Sequence, residues 1–357
     1  MATTETKILD DVIASRRAML LGGTALAALA MTGTAKALAV PTAFTDADIL
    51  NFALNLEYLE ANFYYLAAFG TTIDKPNSAS MTAGGPTTGI NIDGIATNGQ
   101  DPKGVPVTLV KANSQVPFGP GGATLGTVIG SYATETAIEE GKHVIFLRNA
   151  LGGAKVAQPS IDLLNSFNVL ASAAGIGSAF DPFADGPSFL IGAYVFEDVG
   201  VSAYHGAAPA LSLTTTGKGY LQAAAGILAV EAYHAGLVRT TINQLDFVNG
   251  NQNLSALTQK VSALRAKLAA AALTTQANPN DPYNPDDFGV RQRTLTINGA
   301  TVVAGAPATQ IVDAPDDTVV AFARNTTQVL NIVTGGGITS TPAKGVFFPN
   351  GLNGLFS

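Results

Sequence analysis

Glutamate is scarce in this chain, and its placement constrains the fold more than any other feature. Eight glutamates occur in 357 residues. Apart from Glu5 they are Glu57, Glu60, Glu135, Glu139, Glu140, Glu197 and Glu231, and all seven fall inside four long apolar segments with helical character. In the first, 45–69, Ile49, Phe52, Ala53, Leu56, Leu59, Phe63 and Leu66 recur at steps of three and four, the spacing of a helix with a buried face. Asp46 and Asp48 near its start suit a helix N-terminus. The others are expected at about 124–151, stopped by Gly152-Gly153, at 187–207 and at 217–247. A carboxylate on the inner face of such a helix is costly unless something compensates it.

Two of the segments carry the same motif, Glu140-Gly-Lys-His143 and Glu231-Ala-Tyr-His234. Glutamate and histidine three apart sit one turn apart on one side of a helix, so an oxygen and an imidazole nitrogen can converge on one metal ion. With eight glutamates and three histidines in the chain, only about 0.07 such pairs are expected by chance, and two are present. The remaining two segments supply Glu57 with Tyr64 and Glu197 with Tyr204, each pair seven apart and within roughly 20° of one line along a helix. One Glu from each of two helices and Glu-x-x-His from each of two others is the pattern of ferritin-like di-iron and di-manganese carboxylate proteins. It predicts six ligands: Glu57, Glu140, His143, Glu197, Glu231 and His234. Glu60, about 60° round the helix from Glu57, is a candidate seventh. Tyr64 and Tyr204 read either as hydrogen-bond donors to the ligating carboxylates or as core aromatics. His205 lies about 80° off the line of Glu197, which suits a partner behind the ligands or a surface residue. Glu135 and Glu139 complete no motif and read as solvated.

Composition narrows the chemistry. The chain is 47% apolar and 13% charged, against roughly 25% charged in an ordinary domain, which excludes disorder throughout. A net charge of −7 leaves no basic surface for nucleic acid. With no cysteine there is no disulfide, thiolate nucleophile or cysteine-ligated cluster. Carboxylates and imidazoles suit two iron or manganese ions, bridged by Glu140 and Glu231, with dioxygen, peroxide or ferrous iron as substrates. A serine hydrolase would need a Gly-x-Ser-x-Gly elbow, and a two-carboxylate glycosidase would leave the histidine spacing unexplained.

Arg16-Arg17 followed by an apolar run and Ala35-Lys36-Ala37 resembles a twin-arginine export signal over 1–37. Its removal would leave a periplasmic or secreted protein with no later segment apolar for long enough to span a membrane. The fold expected is all-α: a ferritin-like four-helix bundle over 44–273, interrupted by a Gly-, Pro- and Thr-rich insertion at 71–121, with an additional helix at about 255–273. A short helix opening at Ser160 is expected over 159–173. The irregular extension 274–357 should contain a β-hairpin around Asn298-Gly299 and a short helix near 326–332. Val346, Phe347, Phe348 and Leu352 should pack it on the bundle. Asp281, Asp286, Asp287, Asp313, Asp316 and Asp317 lack the spacing of a calcium loop and read as solvated turns.

Asn55-Leu-Glu57-Tyr-Leu-Glu60-Ala-Asn-Phe-Tyr64, the segments 140–148 and 196–205, and Val230-Glu231-Ala-Tyr-His234 resemble exported ferritin-like proteins that include the plant desiccation-related proteins. Gln328-Val-Leu-Asn-Ile-Val333 and Phe348-Pro-Asn-Gly-Leu-Asn-Gly354 are similar to the same family's C-terminal part, so the resemblance runs over about 45–355. It implies a ferritin-like bundle and an association with stress or desiccation, and it implies no assigned reaction. An oxidase or peroxide-removing metalloprotein and a non-catalytic structural stress protein are the two functional expectations.

Overall fold

The structure, a computed structural model, describes residues 44–70, 72–73, 108–109, 114–118, 124–249, 253–272, 286–293, 296–297, 300–301, 308–316, 318–337 and 343–355. Helix α1 (Asp46–Phe69) opens with a reciprocal cap: the Asp48 amide donates to Thr45 Oγ1 at 3.2 Å and the Thr45 amide to Asp48 Oδ2 at 2.9 Å. It is buried on nearly all sides, as a helix apolar all round must be. Strand β1 (Thr108–Leu109), within the expected insertion, pairs in parallel with β2 (Ile161–Asp162). Most of 71–121 lies outside the described residues. Between the two strands runs α2 (Thr124–Leu151), after which Gly152 adopts φ +54°, a left-handed stop that a side chain would strain.

The short helix does not open at Ser160. Asp162 Oδ1 instead accepts from the amides of Leu164 and Asn165 at 2.8 and 2.7 Å, a local turn that competes with helix and delays α3 to Ser166–Ala173. Asp185 caps α4 (Gly186–Ala207), accepting from the Ser188 amide at 2.8 Å with Pro187 in the first turn. Then follow α5 (Thr215–Asn249) and α6 (Asn253–Ala271). In the extension β3 (Arg291–Arg293) pairs antiparallel with β6 (Ala308–Gln310). Strand β4 (Thr296–Ile297) pairs antiparallel with β5 (Ala300–Thr301), Ile297 opposite Ala300, on either side of the expected hairpin turn, whose Asn298 and Gly299 lie outside the described residues. The last element is α7 (Thr326–Val333).

Two antiparallel hairpins form the bundle. Asn51 Nδ2 donates to the Ala154 carbonyl at 2.8 Å and Arg148 to the Tyr58 hydroxyl at 2.6 Å, fixing α1 against α2. Glu197 to His234 and Asp198 to Arg239 fix α4 against α5. The core between them is aromatic, with Phe63 stacked on Phe189 at 5.7 Å and edge-on to Phe196 at 5.2 Å. The C-terminal tail closes over this core. Phe347 packs on Phe196 at 5.0 Å, and the Asn353 amide donates to Asn55 Oδ1 at 3.0 Å.

Three buried arginines bind the extension to the bundle. Arg265 on α6 reaches Asp198 on α4 at 3.0 Å and Asp287 at 2.8 Å; Arg239 on α5 reaches Asp198 at 2.9 Å; Arg324 reaches Asp286 and Asp287, both at 2.9 Å. The aspartates of the extension thus depart from the solvated reading. Asp287 is fully buried between Arg265 of α6 and the extension's own Arg324, Arg324 also holds Asp286, and Asp313 accepts from the Phe288 amide at 2.7 Å. Asp316 is exposed, as expected, and Asp281 and Asp317 lie outside the described residues. One further expectation fails. By length and composition Thr215–Asp246 is apolar enough to cross a membrane. It is an Ala- and Gly-rich helix whose Glu231, His234 and Arg239 are buried in the bundle.

Burial alone would push Asp287 up, but Arg265 and Arg324 hold it below the ordinary aspartate value. Its contribution to stability is therefore present at neutral pH and lost as pH falls below the unfolded aspartate range. The substitution Asp287→Ala strands two guanidinium groups, and urea denaturation at pH 7 should register a loss of about 3–5 kcal/mol. The loss should shrink in acid.

Candidate metal centre

All six predicted ligands face one interior. Glu57 on α1 and Glu197 on α4 approach from one pair of helices, and Glu140-His143 on α2 and Glu231-His234 on α5 from the other. Each of the six is buried. Their donor atoms form two groups, Glu57, Glu140, His143 and Glu231, and Glu140, Glu197, Glu231 and His234, with the atoms of each group within 4.8 Å of one another. Glu140 and Glu231 belong to both. Nδ1 of His143 lies 3.3 Å from Glu57, 3.6 Å from Glu140 and 3.5 Å from Glu231. Nδ1 of His234 lies 3.0 Å from Glu140 and 3.5 Å from Glu197.

Among the described residues, eleven buried side-chain nitrogen or oxygen atoms make no hydrogen bond, and eight belong to these six residues. Buried polar atoms are normally satisfied, so a concentration of inward-facing donors in one place fits a bound cation. The third cluster of acids, Asp198, Asp287 and Asp313, differs in kind, because arginines already occupy it.

The tyrosines act across the bundle rather than along their own helices. Tyr64 on α1 donates to Oε1 of Glu197 on α4, and Tyr204 on α4 to Oε1 of Glu57 on α1. Each carboxylate is held by one oxygen, leaving its Oε2 inward and free of hydrogen bonds. Seven residues along a helix bring the tyrosine back to the inner face two turns away, where the neighbouring helix's glutamate is the nearer acceptor.

Electrostatics follow from crowding. Burial raises Glu57 to about 7, with His143 opposing it and Glu140 adding to it. Burial likewise raises Glu197 and Glu231, Glu231 well above the usual range. Glu140 is also buried, but the two imidazoles beside it hold it well below the carboxylate range. The imidazoles, which burial would make neutral, are driven far up, His143 first by the charge of Glu57 and His234 first by that of Glu197. With no cation between them, the carboxylates draw protons onto the histidines.

Two residues depart from expectation, and a third falls outside the centre, in keeping with the second of its two readings. Glu139, read as solvated, accepts from Nε2 of His234 at 2.8 Å and so fixes the ring from behind. The doubled Glu139-Glu140 in the sequence is the one signal that could have marked it. Glu60 is buried but belongs to neither donor group, because its offset from Glu57 turns it away toward an apolar cleft. His205 lies outside the centre, its Nδ1 3.2 Å from the Phe322 carbonyl, where it ties α4 to the extension. The sequence reading also missed Gly200: a Cβ there would sit 2.6 Å from Oε2 of Glu231, so only glycine lets this carboxylate lie against α4.

Residues 45–244 match the family model of the ferritin-like domain. The chain belongs to the ferritin-like domain family. It is 31% identical over 231 residues to the desiccation-related protein PCC13-62 of Craterostigma plantagineum, covering 63% of this chain and 62% of that protein's length. It is 24% identical over 314 residues to the ferritin-like catalase Nec2 of Nesocodon mauritianus, covering 87% of this chain and 84% of that protein. No solved structure matches the chain.

Tyr64→Phe and Tyr204→Phe each leave a buried carboxylate oxygen without its donor. Each should lower the stability of the metal-free protein by about 1–3 kcal/mol, measured by denaturant titration. The two losses should be similar, because the two contacts are mirrored across the bundle.

Proposed function

We propose that this ferritin-like protein is exported, holds two iron or manganese ions between Glu57, Glu140, His143, Glu197, Glu231 and His234, and removes peroxide. The observation that carries this reading is the pair of four-donor groups sharing Glu140 and Glu231, with eight inward atoms that make no hydrogen bond. The charges agree. Four ionised carboxylates balance two divalent cations, which resolves a cluster that would otherwise be costly to bury. Carboxylate and imidazole donors with no thiolate suit iron and manganese. Among dioxygen, peroxide and ferrous iron, similarity to a protein named as a catalase favours peroxide.

Such ions, when bound, supply the electron transfer to and from a peroxide. The chain's own residues prepare the site. Glu140 and Glu231 span the two groups, while Tyr64 and Tyr204 hold Glu197 and Glu57 with their Oε2 atoms inward. Glu139 accepts the proton on Nε2 of His234, which leaves Nδ1 as the donor to a cation. Burial of all six residues would keep bulk water from bound cations.

Elemental analysis of natively produced protein should find close to two iron or manganese ions per chain. His143→Ala with His234→Ala should remove most of them, and the loaded wild type should consume hydrogen peroxide faster than the double variant. Two bound ions without any difference in peroxide consumption would favour a metal-stabilised structural protein, and similarity to a protein named as desiccation-related would then point to a part in desiccation. The double variant would then differ only in a lower thermal midpoint.

Export rests on Arg16-Arg17, the apolar run after them and Ala35-Lys36-Ala37, which lie outside the described residues. N-terminal sequencing of secreted protein should begin near Leu38 or Val40. Changing both arginines to lysine should leave precursor in the cytoplasm, and extracytoplasmic protein beginning at Met1 would overturn cleavage.

A further inference from the structure

Beside the carboxylate cluster lies a narrow cleft walled by α1, α3, α4, α6, α7 and the C-terminal tail. Its rim is half-buried and apolar: Leu170, Ala174, Ile176, Phe180, Leu264 and Leu268. Its inner end is formed by buried Leu56, Leu59, Phe196, Glu60 and Gly200. Two ionisable groups line it, and they differ sharply in availability. Arg265 is fully engaged, its guanidinium donating to both oxygens of Asp287, to Asp198 and to the Tyr194 carbonyl. Glu60 is 5% exposed, and among the described residues no ion pair or hydrogen bond engages its carboxyl. Gly200, on the cleft wall, is where Glu231 presses closest to α4, so the inner end stands one residue from the candidate metal centre.

We infer that this cleft is a binding site for a neutral molecule with a hydrocarbon body and one hydroxyl-type head group, the body along the apolar walls and the head on the Glu60 carboxyl. The apolar lining selects the body, as ligand pockets with few polar groups generally do. The head is neutral for two reasons. The one cation in the wall, Arg265, has no donor left for a carboxylate, and the apolar walls offer an ionised head nothing to offset its lost hydration. The inference stands on the cleft and does not require the metal reading; it assigns a second site beside the first.

The test uses 1-octanol, with octanoate as the charged counterpart, titrated calorimetrically into full-length protein both metal-free and iron-loaded. Octanol should bind saturably and at least tenfold more tightly than octanoate in both forms. Ala174→Phe, which narrows the mouth without touching any glutamate or histidine, should weaken octanol about tenfold. Glu60→Leu should bring octanol weaker by a similar factor, while Glu60→Gln, which keeps a hydrogen-bonding head, should restore most of it. Melting curves of each variant separate lost binding from lost folding. No saturable octanol binding by wild type, octanoate binding equal to or tighter than octanol, or full affinity in a folded Ala174→Phe protein would each overturn the inference. Failure to load metal would sink the metal reading and leave this one standing.

Discussion

Four carboxylates share one buried interior, and the fold is arranged around making that tolerable. Each would be costly to bury alone, and together they repel. The relief comes from positive charge placed between them: protons on His143 and His234 when no cation is there, which is why both imidazoles are driven far above their ordinary values. Two divalent cations would do the same more completely and free the imidazoles to act as neutral donors. The hydroxyls of Tyr64 and Tyr204 tie the two hairpins together through the carboxylates themselves, so the site is also part of what holds α1 to α4.

Helix α4 carries a second charge cluster on its other side. Glu197 points into the carboxylate centre, and its neighbour Asp198, about 100° round the helix, points out to Arg239 and Arg265. That outer cluster recruits Asp286 and Asp287 from the extension through Arg265 and Arg324. One helix therefore couples the placement of the inner carboxylates to the docking of the C-terminal segment. The tail in turn covers the aromatic core through Phe347 and walls the cleft beside Glu60.

The bundle was legible because its signals are local and periodic. Apolar spacing set the long helices, Gly152 ended α2, and two Glu-x-x-His motifs named the inward faces. What was hidden depends on tertiary partners. Nothing within α4 or α1 alone says that Tyr64 bonds the other helix's glutamate, and the aspartates of the extension look solvated until Arg265 of α6 and the distant Arg324 are placed beside them. Ser160 was misread because a side-chain turn at Asp162 outcompetes helix there, an interaction of three residues that apolar periodicity does not register. Glu60 was misplaced for the opposite reason. Its spacing suits a ligand, but the room opposite it is an apolar cleft rather than a second donor group.

The two halves of the bundle are related by pattern and yet not equivalent. Aligning Glu57 with Glu197 sets Glu60 opposite Gly200, and aligning Glu140 with Glu231 sets Glu139 opposite Val230. Each mismatch has a physical consequence. His234 has a carboxylate behind its ring and the position equivalent to Glu139 on the other motif helix is valine, so the two imidazoles are not held alike. Where one half places Glu60 the other places a residue with no side chain, and into that space Glu231 leans. A symmetric scaffold thus presents two unlike donor groups, and both asymmetries in the α1 and α4 pair, the carboxyl and the gap, open onto the same cleft.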